Sequence, residues 1–197
     1  MKNFKKLFLF LILSFGISGP INAADEGQLR FGIDFGFAPV DLEAEKTAQE
    51  IANASGSTVT VAYDTGSFVG RIFAEYGLSQ NFDLEFGIFS TSDATATYTL
   101  DGASASESYN ADGVDISFNI TGSGGFFGKI GMHTSTVNGA ASIIIGGTTY
   151  SVTASREGSG PLFGAGWQDD NVRYSYTHYI DVGDTTDYSM FSVGWLF

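Results

Sequence analysis

The chain has 197 residues, of which 43% are hydrophobic, 15% aromatic and only 16% charged, with 26 Gly, 3 Pro, no Cys and a formal net charge of −13. The aromatic content excludes a disordered chain, nine Lys and Arg in all are too few for a nucleic-acid binder, and the lack of Cys excludes disulfide frameworks, thiol catalysis and Cys-based zinc sites. Glycine stands at about twice its usual share of ~7%, with no triplet period and almost no Pro, so it must serve inside regular structure.

The N-terminus reads as a targeting segment. Lys2, Lys5 and Lys6 precede an apolar run from Leu7 to Ile17, and Ile21-Asn22-Ala23-Ala24 supplies small residues for cleavage. The run is shorter than the ~20 residues a membrane helix needs. A cleaved secretory signal over 1–24 and one domain over 25–197 are therefore expected. Cleavage after Ala23 or Ala24 leaves six basic residues against 22 acidic ones. No later stretch is apolar enough for a membrane helix, so an exported chain this aromatic is expected to be periplasmic, secreted or an outer-membrane β-barrel.

A period of two runs through the rest. In 28–38, Leu29, Phe31, Ile33, Phe35 and Phe37 take every second place, with Arg30, Gly32, Asp34 and Gly36 between them. Successive strand residues point to opposite faces, so one face is greasy and the other small or charged. The predicted strands continue, in order, over 68–78, 82–89, 114–120, 126–133, 162–168, 172–181 and 190–197. Strands two, four and six are followed by short, turn-rich links: Ser79-Gln80-Asn81, Gly122-Ser123-Gly124-Gly125 and Asp169-Asp170-Asn171. Strands one, three and five are followed by long ones, about 39–67, 90–113 and 134–161. This alternation predicts an all-β, eight-stranded, antiparallel up-and-down transmembrane barrel, with its short turns periplasmic. A short helix is expected in the first long link, where Asp41 could cap a Glu- and Ala-rich stretch to Ala54. In the third, Ser142–Ile145 and Thr148–Thr153 around Gly146-Gly147 predict a small hairpin extending the wall outward.

Charge decides the faces. Lys or Arg on the lipid face at the midplane costs roughly 2–4 kcal/mol, so charge belongs on the other face. Arg30, Arg71, Lys129 and Arg173 share that face with Asp34, Glu75, Asp83, Glu85 and Asp115. An eight-stranded barrel is only wide enough for its own side chains, so these nine residues are expected to form an interior ion-pair network. A gated ion path along it is the alternative. Inward glycines such as Gly87 and Gly194 would make room for the long charged chains, and Phe37, Phe82, Tyr174 and Trp195 would anchor the interfaces.

The terminal Phe191-Ser192-Val193-Gly194-Trp195-Leu196-Phe197 resembles the C-terminal β-signal of bacterial outer-membrane barrels. The resemblance implies that the barrel-assembly machinery reads Phe191, Val193, Trp195 and Phe197. Phe126-Phe127-Gly128-Lys129-Ile130-Gly131, Leu162-Phe163-Gly164-Ala165-Gly166-Trp167-Gln168 and Val172-Arg173-Tyr174-Ser175-Tyr176 are similar to the fifth, sixth and seventh strands of the OmpA-like transmembrane domain family. Ser175 departs from the acidic or amide residue common there. A cell-wall-binding domain after the last strand is not expected, so that link is not implied.

His133-Thr134-Ser135 has the His-x-Ser spacing of barrels that deacylate lipid A, but Thr136 stands where that family has Asn, and His133 shares the inward parity of Lys129. A rim hydrolase is thus an alternative; the preferred reading is a non-enzyme. Nothing asks for a cofactor, and two distant histidines do not make a metal site. Acidic residues such as Glu43, Glu45, Asp64, Asp93, Glu107 and Asp187 give the outer links a solvated surface that could also hold cations bridging lipopolysaccharide phosphates. The expected partners are outer-membrane lipid, lipopolysaccharide and the assembly machinery, the expected state is a monomer, and the expected role is structural or surface-interacting.

Overall fold

A computed structural model describes residues 26–39, 42–64, 66–101, 103–169, 171–184 and 186–197. The expected signal segment and the Asp41 cap lie outside these residues. Ten strands and one helix follow in chain order: β1 (Leu29–Pro39), α1 (Ala44–Ser55), β2 (Thr60–Asp64), β3 (Gly66–Ser79), β4 (Phe82–Thr91), β5 (Ala94–Leu100), β6 (Ala103–Thr121), β7 (Phe126–Ile145), β8 (Thr148–Gln168), β9 (Val172–Val182) and β10 (Thr186–Leu196). Eight of them close a ring of antiparallel neighbours. β1 pairs with β10 and β3, β3 with β4, β4 with β6, β10 with β9, β9 with β8 and β8 with β7. The β6–β7 pairing, from Ser104 opposite Ile144 to Thr121 opposite Phe127, shuts it.

The faces sort as strand alternation requires. Phe35, Phe68, Phe86, Ile116, Phe118, Ile130, Phe163 and Trp195 lie exposed on the outside. Arg30, Arg71 and Arg173 are among the largest fully buried side chains. An apolar outside around a charged inside is stable only where the outside meets lipid, so this is a transmembrane barrel. At about 3.3 Å per residue and a tilt near 40°, an eleven-residue strand such as β1 rises roughly 28 Å, close to the height of the apolar band.

The wall is not even in height, and here the sequence expectation is corrected. The links after the third and fifth predicted strands, expected to be long loops with one small hairpin, are mostly strand. β6, β7 and β8 run for 19, 20 and 21 residues, well past the others. The Gly146-Gly147 turn does join a hairpin, but one continuous with the barrel, with both glycines at positive φ (57° and 82°) as a two-residue hairpin turn demands. β5 pairs with the upper half of β6, and β2 with β5, which adds two strands to the eight expected. On the outer face of β6 and β7 the apolar series Phe118-Ile116-Val114 and Ile130-Met132 gives way to Asp112-Asn110-Ser108 and Thr134-Thr136-Asn138. That change marks the upper edge of the apolar band.

The helix forms at the tall end of the barrel, over Ala44–Ser55, in the stretch where one is expected. Glu43 precedes it without a side-chain cap, and Gly56 ends it in the left-handed conformation, its N–H bonding Ala52 O at 2.9 Å. Its apolar side (Ala44, Ala48, Ile51) packs on Ala96, Tyr98, Val61 and Ala105, the lumen-side face of the β2–β5–β6 extension. The helix therefore roofs a sheet that stands clear of the apolar band.

Candidate functional site

The lumen has two layers. The lower one gathers the nine charged residues named from the sequence, all of them buried. Arg71 is held by a bidentate pair to Asp115 (Nε–Oδ2 2.9 Å, Nη2–Oδ1 2.6 Å), and it also reaches Glu85 Oε1 at 2.6 Å and Asp34 Oδ2 at 3.1 Å. Arg173 donates to Glu85 Oε2 at 2.5 Å and Asp34 Oδ2 at 2.7 Å. Lys129 Nζ meets Glu85 Oε1 at 2.6 Å, Asn119 Nδ2 meets Glu85 Oε2 at 3.0 Å, and Arg30 pairs with Glu75. Glu85 thus accepts from four donors on four strands. Asp83, near the short-turn end of the barrel, belongs to none of these ion pairs. The ring of Phe73 lies 3.9 Å from the Arg173 guanidinium carbon and 5.2 Å from that of Arg71, a cation–π floor under two arginines.

Glycine makes this packing possible at named places. A Cβ on Gly87 would fall 2.2 Å from Arg71 Nη2, and one on Gly194 would fall 2.1 Å from Asp34 Oδ1. Ser175, at the departure from the family pattern, takes no part in the ion pairs and shares a hydrogen bond with Ser192 at 2.7 Å.

The upper layer was not legible in the sequence as a unit. Phe89, Leu162, Tyr179, Val182, Met190 and Val69 pack together above the charges. The Tyr179 ring lies 5.0 Å from Phe89 and 5.3 Å from His133, and its hydroxyl donates to Asp115 Oδ2 at 3.3 Å, stitching the layers together. An apolar plug thus lies over an ion-pair cluster in which Arg30 Nε and Nη1, Arg173 Nε, Asp34 Oδ1 and Glu75 Oε2 have no hydrogen-bond partner.

His133 and Ser135 sit inside this wall, not at the lipid rim. His133 Nε2 contacts Ile180 O at 2.7 Å, and Ser135 Oγ accepts the Gly183 N–H at 3.2 Å. Both are buried, and both are used to fasten β7 to the end of β9. His178 lies outward, with Ser189 on Nδ1 at 2.9 Å and Phe163 stacked at 5.0 Å.

Above the rim the acidic residues are drawn into local bonds. Glu107 accepts from Tyr98 at 2.5 Å and Tyr109 at 3.1 Å, Glu45 from Tyr63 at 2.9 Å, Asp93 from Asn110 at 2.6 Å, and Glu43 pairs with Lys46 at 2.7 Å. Burial and the Glu107 carboxylate push the Tyr98 phenol up to about 12. Among the described residues no group of three or more His, Cys, Asp or Glu could hold a metal ion.

The C-terminal strand completes the ring. β10 pairs with β1 through Phe191 opposite Phe37 and Leu196 opposite Gly32, and Phe191, Val193 and Trp195 point outward. The Phe197 N–H and C=O both bond Phe31.

No protein-family model matches the chain, and no curated protein matches it in sequence. Among solved structures it is similar to Ail, the attachment invasion locus protein of Yersinia pestis (12% identity, 87% of this chain and 99% of that one, TM-score 0.46). It is also similar to the outer membrane protein OprG from Pseudomonas aeruginosa (10% identity, 90% and 99%, TM-score 0.45). A third is Neisserial surface protein A (17% identity, 85% and 95%, TM-score 0.42). These neighbours are outer-membrane β-barrel proteins, and the likeness concerns the fold.

Proposed function

We propose that this protein is a closed outer-membrane barrel whose work is done outside it: a structural, surface-interacting scaffold that holds a sheet and helix above the membrane. The observation that carries this reading is the contrast between the two ends of the tall wall. Below, the lumen is filled by a cluster of charges capped with an apolar plug. Above, β5 to β8 continue as an ordered sheet roofed by α1, which a pore has no need of. In this proposal residues 1–24 direct export and are removed, the apolar band meets outer-membrane lipid, and the saccharide and phosphate layer of lipopolysaccharide surrounds the polar strand extensions. The outward Phe191, Val193, Trp195 and the terminal Phe197 serve as the recognition edge for the assembly machinery, and the barrel works as a monomer.

The test is planar-bilayer recording on refolded, heat-modifiable barrel. The expected result is no steady conductance from the wild type. Steady openings that disappear in Arg71→Met or Lys129→Met would overturn the scaffold reading in favour of a pore.

A further inference from the structure

The outer wall carries a Ser, a His and an Asp in contact at the upper edge of the apolar band. His178 on β9 stands directly opposite Ser189 on β10, and its Nδ1 lies 2.9 Å from the Ser189 Oγ. The other ring nitrogen, Nε2, faces Asp187 Oδ2 at 3.7 Å. The second Asp187 oxygen is anchored, accepting the Asp181 N–H at 3.2 Å. We propose that Ser189, His178 and Asp187 form an esterase site that cleaves the acyl ester of a zwitterionic membrane lipid. This is a further activity of the wall, independent of whether the lumen conducts.

The local backbone holds these groups together. β9 bulges here: the stretch from Tyr179 to Val182 faces the shorter one from Thr186 to Tyr188, and Asp181 sits at φ 59° in the left-handed region. Bulges re-aim strand groups and are frequent beside active sites. This one brings the Asp181 N–H to the Asp187 carboxylate. With the ring proton on Nε2, toward that carboxylate, Nδ1 accepts the Ser189 O–H, which is what general-base activation of a serine needs. The 3.7 Å separation is that of an ion pair, and such contacts tighten as the ring becomes an imidazolium during reaction. Tyr176, the next outward residue down β9, places its hydroxyl 3.1 Å from Ser189 Oγ, within reach of the carbonyl oxygen of an ester attacked there.

The surroundings select the substrate. On β10 the outward series Trp195, Val193 and Phe191 gives way to Ser189 and Asp187, so the nucleophile lies where lipid tails meet head groups. Below it, Tyr176, Phe191, Val193, Ala165 and Trp167 line an apolar depression of about 900 Å³ on the lipid face. An acyl chain of the bilayer fits along that depression with its ester at Ser189. Above it, Asp181, Asp184 and Asp187 are exposed, which repels an anionic head group and suits the ammonium of a zwitterionic one.

In the reaction Ser189 Oγ bonds to the ester carbonyl carbon as its proton passes to His178 Nδ1, and Tyr176 donates to the carbonyl oxygen as that oxygen takes up negative charge. The bond to the lipid alcohol then breaks, and the leaving oxygen takes the proton back from His178. Water, deprotonated by the same nitrogen, cleaves the acyl-serine to a fatty acid and restores Ser189. Ser189 and His178 are catalytic residues, and Asp187 is a positioning residue.

The test reconstitutes the refolded barrel in phosphatidylcholine vesicles and follows fatty-acid release, with phosphatidylglycerol vesicles and lipopolysaccharide as anionic comparisons. A long-chain fluorophosphonate, read by mass spectrometry, serves as a serine trap. The expected result is release from phosphatidylcholine and labelling at Ser189. Ser189→Ala and His178→Gln should each lower release about a hundredfold or more, and Tyr176→Phe about tenfold or more. Asp187→Asn should lower kcat about tenfold or more at unchanged KM, and Asp187→Glu should restore part of it, a split that lost packing would not produce. Each variant should keep the heat-dependent mobility shift, so loss of release is not loss of folding. The proposal is overturned if phosphatidylcholine is not hydrolysed, if the trap labels another serine instead, if Ser189→Ala releases fatty acid at the wild-type rate, or if an anionic lipid is cleaved faster.

Discussion

Removing Glu85 should cost more than removing any other charge in the lumen. The carboxylate is fully buried and accepts from Arg71, Lys129, Arg173 and Asn119. Glu85→Gln keeps the shape and one acceptor but leaves three cations crowded together with less counter-charge. Breaking a buried pair by removing one partner costs about 3–5 kcal/mol. With a urea slope of about 1–3 kcal/mol per molar, that lowers the unfolding midpoint by roughly 1–5 M. Among the described residues Lys129 has Glu85 as its only ion-pair partner, so Lys129→Met in the Glu85→Gln background removes an orphaned charge and should recover part of the loss. The assay is urea titration of the refolded barrel, followed by tryptophan emission and by the heat-dependent shift in gel mobility. If Glu85→Gln costs under about 1 kcal/mol, or the two changes simply add, then the lumen is wet and screened and the closed-network account fails.

Gly87→Ala should destabilise by about 1–3 kcal/mol, because its new Cβ meets an Arg71 guanidinium that three carboxylates hold in place; urea midpoints check this, and a neutral result would mean that Arg71 is free to move. Phe86→Arg, midway along the lipid face of β4, should cost about 2–4 kcal/mol in bilayer refolding, whereas Asn110→Arg above the apolar band should cost far less. The Tyr98 phenol is raised from its usual 10 to about 12, so its bond to Glu107 is present in full below pH 10 and is lost as pH climbs through 12. Absorbance at alkaline pH should show several late-titrating tyrosines, of which Tyr98→Phe removes one, and α1 should loosen over that window while the barrel's mobility shift persists. A titration with every tyrosine ionised by pH 11 would contradict this.

Much of the barrel is written locally. Where lipid lies on one side of a strand and packed charge on the other, every second residue must be apolar, and the alternation in 28–38 or 114–120 follows from that constraint alone. The inward set from Arg30 to Arg173 follows from the same parity. The extensions carry no such contrast. In Ala94–Leu100 the face buried under α1 is built of Ala94, Ala96 and Tyr98 and the other of Thr, and over 103–113 one face is Ala, Glu and Tyr and the other Ser, Asn and Asp, so the contrast in hydrophobicity is small and the period-two signal is weak even though the backbone stays in strand. Parity also cannot say which charge meets which. Arg173 and Asp34 stand 139 residues apart and touch only because β10 pairs with both β9 and β1 and so brings those two strands to opposite sides of it. The apolar plug is likewise a sum over residues far apart in the chain: Phe89, Leu162 and Met190 meet in one layer because closure brings their strands to the same height. Faces are a property of neighbouring residues and can be read along the chain. Partners across a barrel are a property of closure and register, and these exist only once the ring is shut.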